Sequence, residues 1–188
     1  MIIHLLFYKF GHENPKDPKF SGSYRTISRL INYIYGIEYQ HVKLGFETND
    51  VLRGDYFVVY DIAVNLPKMT KKFTKDLKTC NADEQIKIKV PSMKDFFEMK
   101  SWLERELERG TGYNYAAYCW NFTPILKCLP IRGSGLLCTQ MVSECLLAGK
   151  VFEDQEESKR ALKHAYKMKV GELRDLVSSV AESNTSRV

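Results

Sequence analysis

The chain has little of what would announce a disulfide scaffold, a metal site, a membrane span or a nucleic-acid interface. Its five cysteines, at 80, 119, 128, 138 and 145, are odd in number and show no short paired spacing, so free thiols are expected, in a reducing compartment and without a bound metal. No window reaches the roughly 18 apolar residues of a membrane span. The opening MIIHLLFYKF lacks the basic start and small-residue cleavage site of a signal peptide. A soluble, cytoplasmic protein with at most peripheral membrane contact is therefore expected. Charge of one sign is scarce too: 28 basic against 23 acidic residues give a net charge of +5 spread along the chain, and no nucleic-acid partner is expected. The one local excess, PKMTKKFTKDLK over Lys68 to Lys78, has Phe73 as its single aromatic and reads as a solvated face. Nothing in the pattern calls for a cofactor, and no internal repeat or low-complexity block is present.

What the chain does have is an ordinary core-forming composition, 44% hydrophobic and 12% aromatic over 188 residues. At that length roughly 70% of the unfolded surface can be buried in one domain. Ile2 to Phe10 form a dense apolar run that predicts a buried strand. Ser23 can cap a helix that follows, in which Ile27, Leu30, Ile31 and Ile34 recur at helical spacing before Gly36. In HVKLGFE, Val42, Leu44 and Phe46 alternate with His41, Lys43 and Gly45, the period of a half-buried strand opened by His41. The NDVLRGD turn and a strand over Tyr56 to Val64 complete a hairpin, with Asp61 as that strand's one carboxylate. After a polar, lysine-rich linker, IKIKV predicts a third strand, and Ser92 with Asp95 predicts the start of a helix running to about Gly110. Thr111 to Gly135 is mixed. Cys138, Met141, Val142, Cys145 and Leu146 again fall at helical spacing, ending at Gly149. Asp154 to Val180 predict two short amphipathic helices, and ESNTSRV reads as a frayed end.

The residues suited to covalent chemistry are Cys138 and His41. A thiol attacks as thiolate, and a free one is only a few per cent ionised near neutrality. The first turn of a helix favours the anion through its unpaired N–H groups and macrodipole, and the glycines of IRGSGLLC leave room at that entry. A histidine on a strand has its ring fixed and a second nitrogen available for an orienting acid. The pattern alone favours a plainer reading. Cys138 shares its helical stripe with Cys145, as core cysteines do, and a lone histidine on a strand is commonly a satisfied structural residue, as is an aspartate such as Asp61. His4, within an apolar strand, and His12, in a loop, are weaker bases.

Four stretches in order carry a resemblance: ISRLINYIYGIEYQHVKLGF, YFVVYDIAV, IKIKVPSMKDFFEMKSWLERELERGTGYNY and LLCTQMVSECLLAGK. Together they resemble the permuted branch of the NlpC-type papain-like superfamily, which includes bacterial YiiX/YaeF-like proteins and a poxvirus relative. The resemblance covers about residues 2 to 150. It implies an α+β, circularly permuted papain-like fold, an antiparallel sheet packed against helices, in residues 1–150. Residues 151–188 are then a C-terminal helical extension on the same domain. It also implies Cys138 as nucleophile, His41 as base, Asp61 as the orienting third member, and Tyr113 of GTGYNY near the nucleophile as an oxyanion or substrate-side group. Glu47 and Asp55 are alternatives for the third member. Three positions depart from the family pattern: Gln40 stands before the histidine where a small residue is usual, Lys43 stands where many members have glycine, which puts a cation close to the site, and Asp61 stands where the family more often has glutamate. The implied activity is hydrolysis of amide or peptide bonds through a covalent acyl-enzyme, on a peptide, isopeptide or lipid acyl substrate. Lipid acyl hydrolysis or transfer ranks second, because LLCTQMV lacks the N-C-E-H-F pattern of such relatives; Trp120, Phe122 and Ile125 would line its groove. The third reading is a non-enzymatic binding module on the same scaffold.

Overall fold

A computed structural model describes residues 1–9, 37–50, 54–63, 66–122 and 134–185. The helix predicted around Ile27 to Ile34, His12 and Ile125 lie outside the described residues, as do the side chains of Trp120 and Phe122.

Among the described residues five strands build one antiparallel sheet: β1 (Ile2–Lys9), β2 (Tyr39–Asp50), β3 (Gly54–Asp61), β4 (Thr70–Thr74) and β5 (Glu84–Lys89), in the order β4-β3-β2-β1-β5. Their alternation decides the two faces. Ile3, Leu5 and Phe7 of β1, Val42, Leu44 and Phe46 of β2, Val58 and Tyr60 of β3, and Ile86 and Ile88 of β5 all enter the main core. Over them lie α1 (Met93–Glu108), through Phe96, Met99 and Leu103, and α3 (Cys138–Ala148), through Met141, Val142 and Cys145. Leu6 and Tyr8 of β1 and Val59 of β3 point the other way into a smaller cluster closed by Leu77. A short helix, α2 (Tyr115–Phe122), precedes α3; α4 (Glu156–Lys163) and α5 (Val170–Thr185) follow it. The result is α+β, with an antiparallel sheet and helices.

Several sequence expectations are revised. The lysine-rich linker contains β4 and a 3-10 turn at Leu77–Cys80, because Phe73 and Lys71 pair with Val58 and Tyr60 of β3 and Leu77 covers the second face. The hairpin's second strand starts and ends earlier than Tyr56 to Val64, so it holds Asp55 as well as Asp61, and Asp61 is its last residue. α5 is neither short nor frayed at ESNT: it continues through Thr185, its Val170, Leu173, Val177 and Val180 being buried in the same core as the sheet. Gly149 does cap α3, but with φ −84°. Its need for glycine is spatial, since a Cβ there would lie 2.3 Å from Met99 Sδ.

The start of β2 breaks its own period. Tyr39 and Val42 both face the main core, which an even alternation forbids for residues three apart. The pairing shows why: Lys9 opposes Tyr39 while Tyr8 opposes His41, so β2 carries one extra residue, Gln40. Such a bulge bends the strand and re-aims the side chain beside it, and here that side chain is His41.

Candidate active site

Four elements converge on the His41 ring. β1 supplies Tyr8, whose ring lies 5.7 Å from it. β3 supplies Asp61, whose Oδ1 is 2.7 Å from His41 Nε2. The register explains the meeting: Leu44 opposes Tyr60, so Asp61 comes across from Lys43, diagonal to His41 on the same strand face. Lys43 Nζ sits 3.0 Å from Asp61 Oδ2 and 4.8 Å above the Tyr8 ring. From α3, Cys138 lies close enough to the same ring to help raise its pKa. An ionised carboxylate only accepts hydrogen bonds, so Nε2 carries the proton toward Asp61 and Nδ1 is the nitrogen left for sulfur.

The electrostatics follow from this packing. Burial works against the charged ring, but the Asp61 carboxylate outweighs it by charge and hydrogen bond, and Cys138 adds to the effect; His41 is raised well above the ordinary histidine value. Burial likewise pushes the Asp61 carboxyl up, yet His41 first and Lys43 second hold it below the ordinary aspartate value. The pair is therefore ionic near neutrality, with side chains 16% and 18% exposed. Tyr8 is held in its protonated form by burial and by the neighbouring Cys80, Asp61 and Asp83, and its hydroxyl donates to the Cys80 carbonyl at 3.0 Å.

Cys138 is the first residue of α3, and its N-cap, Leu137, has no side-chain acceptor. Gln140 Oε1 accepts the Leu137 N–H at 2.9 Å, half of a capping box. Among the described residues no N-cap side chain takes up the N–H groups of the first turn. Upstream, Gly135 adopts φ +104°, and a Cβ there would fall 2.3 Å from the Gly112 carbonyl oxygen. Only glycine lets the segment before Cys138 run against residues 112–114. Leu136 N donates to Gly112 O, Asn114 N donates to Leu136 O, and Tyr113 bridges to Leu136. Tyr113 is thus buried next to the segment that leads into Cys138, its ring packed on Tyr115 and Tyr118.

The fold thereby brings together Cys138, His41 and Asp61, with Tyr113 alongside the entry to α3. The alternatives for the third member lie elsewhere. Asp55 accepts from Asn49 Nδ2 at 2.6 Å near the far end of the hairpin, and Glu47 opposes Phe57. His4 is buried against Phe57, with Nδ1 on Gln85. Two contributors were not singled out by sequence as members of the site, Tyr8 and the bulge at Gln40. Both depend on the β1 to β2 register, which no local pattern carries; the unusual Gln before His41 is the one trace of it. Among the described residues no cluster of His, Cys, Asp and Glu could hold a metal ion, and no helix is long and apolar enough to cross a membrane. Compared with models of known protein families, with characterised proteins and with solved structures, the chain matches none.

Proposed function

We propose that this chain is a thiol hydrolase of amide or peptide bonds, working through Cys138, His41 and Asp61 on a circularly permuted papain-like scaffold. One observation carries the reading: an imidazole paired with Asp61 Oδ1 at 2.7 Å has the cysteine that opens α3 near enough to help raise its pKa. Cys138 attacks the acyl carbon as the thiolate of a thiolate–imidazolium pair, its proton already resting on His41 Nδ1. N–H groups of the first turn of α3 receive the developing oxyanion. The imidazolium returns its proton to the leaving amine as the C–N bond breaks, which leaves a thioester on Cys138. His41 then takes a proton from water, whose oxygen displaces the sulfur and releases the carboxylic acid. Asp61 stays ionised throughout and orients the ring. Tyr113 is assigned to the substrate side of the same entry. The free state of Cys80, Cys138 and Cys145 fits a reducing, cytoplasmic setting.

The test is a screen of peptide, isopeptide and phospholipid substrates, with the intact mass of the chain followed for an acyl adduct. The adduct and turnover are expected with an amide-bonded substrate and absent in Cys138→Ala. Turnover of phospholipid alone would replace this reading with lipid acyl hydrolysis. A second reading, a binding module with an idle dyad, is favoured by the 5% exposure of Cys138; absence of any adduct across all three substrate classes would select it.

A further inference from the structure

Lys43 is the one cation in direct contact with the candidate site among the described residues, and its contacts are specific. Its Nζ binds Asp61 Oδ2 at 3.0 Å while His41 binds Oδ1 at 2.7 Å. Its position is fixed twice, by the carboxylate and by the Tyr8 ring 4.8 Å below it. Tyr8 is itself anchored through its hydroxyl to the Cys80 carbonyl. A carboxylate shared in this way cannot rotate to offer His41 a bidentate or alternative contact without breaking the bond to Lys43. The ammonium, two residues along the same strand face, is also a like charge beside the imidazolium.

We propose that Lys43 is a positioning residue for the Asp61–His41 pair: it holds the carboxylate by the oxygen that His41 does not use and limits the pH range over which the imidazolium persists. Among the described residues, the charged and titratable groups facing His41 are Tyr8 from β1, Lys43 from its own strand, Asp61 from β3 and Cys138 from α3. Tyr8 stays neutral in the working range. Lys43 is therefore the group whose removal changes the balance without deleting a member of the proposed reaction. The signs agree. Without the ammonium, Asp61 loses an ion pair, so its protonation moves to higher pH; the imidazolium loses a repelling neighbour, so its deprotonation moves to higher pH as well. The consequence for catalysis rests on the reading of His41 as the base of Cys138; the effect on the ring does not.

The experiment follows the His41 ring by long-range proton–nitrogen NMR across pH in the full chain and in Lys43→Met, Lys43→Gln and Lys43→Arg. Iodoacetamide alkylation of Cys138 is measured in parallel, with His41→Ala as control. The expected result is an upward move of the His41 midpoint by on the order of one pH unit in the Met and Gln variants. The Arg variant restores the original midpoint, and the alkaline limb of Cys138 alkylation moves with the ring. A midpoint unchanged in a folded Gln or Met variant, or shifted equally by Arg, overturns the proposal. If the ring moves as expected but alkylation is indifferent to both Lys43 and His41→Ala, the positioning role is supported and the hydrolase reading is overturned.

Discussion

Asp61 divides its two oxygens between His41 and Lys43, and that division has consequences for stability as well as chemistry. Because Asp61 is held below its ordinary value of ~3.9, its contribution to folding is complete above that pH and is lost as pH falls through the depressed value. His41 is raised above ~6.5, so its contribution is complete below that pH and is lost as pH rises through the raised value. Asp61→Asn removes both. Its deficit in urea denaturation is expected to be largest between pH ~4 and ~6.5, roughly 2–4 kcal/mol, and to shrink on either side; a deficit constant with pH would show that the pair is not ionic. At this scale the sequence was informative about residue types and silent about partners. Cys138 and His41 stood out by their places on a helix start and a strand. The choice among Asp61, Glu47 and Asp55 turned on register, which puts Asp61 across from Lys43 and leaves Asp55 on Asn49. Tyr8 was invisible for the same reason: in isolation it is one more apolar residue of β1.

Among the elements, α3 and its approach carry the site. Gly135→Ala would need a φ that L residues rarely adopt and a Cβ pressed against the Gly112 carbonyl. A loss of about 2 kcal/mol or more is expected in chemical denaturation, with Cys138 reactivity disturbed because the entry shifts. Gln140→Leu removes the half cap on Leu137 N–H and should cost about 0.5–1 kcal/mol, while Gln140→Glu keeps an acceptor and should cost little; equal losses in the two would argue against the capping role. β5 and the Val42–Phe46 stretch of β2, with the helices α1 and α3, were legible because burial is periodic in them, and β1 because it is a continuous apolar run buried on both faces. β4 was not, since an edge strand of Thr, Lys, Lys, Phe and Thr buries little and exposes Phe73. The length of α5 was missed because its last turns are polar and contribute no apolar period beyond Val180 and Ala181.

Across the whole molecule, the C-terminal helix belongs to the core that supports the site. α5 buries Leu173, Val177 and Val180 in the main cluster, and Arg174 closes a fork onto Glu84 of β5 at 2.9–3.1 Å, where Glu84 also accepts the Tyr39 hydroxyl. Tyr39 lies just before the bulge that aims His41, so the far end of the chain braces the strand that carries the proposed base. Leu173→Ala should cost about 2–5 kcal/mol and lower the single unfolding midpoint seen by both far-ultraviolet and near-ultraviolet dichroism. Two separate transitions would mean that α5 folds apart from the sheet. The claim on which the functional account depends is tested most directly by the rate at which iodoacetamide alkylates each cysteine at neutral pH, read peptide by peptide in the parent chain and in His41→Ala. The account predicts that Cys138 reacts faster than Cys80, despite being the more buried of the two, and that this advantage falls by on the order of a hundredfold in His41→Ala. Labelling of Cys138 that is no faster than that of Cys80 and indifferent to His41 would contradict it.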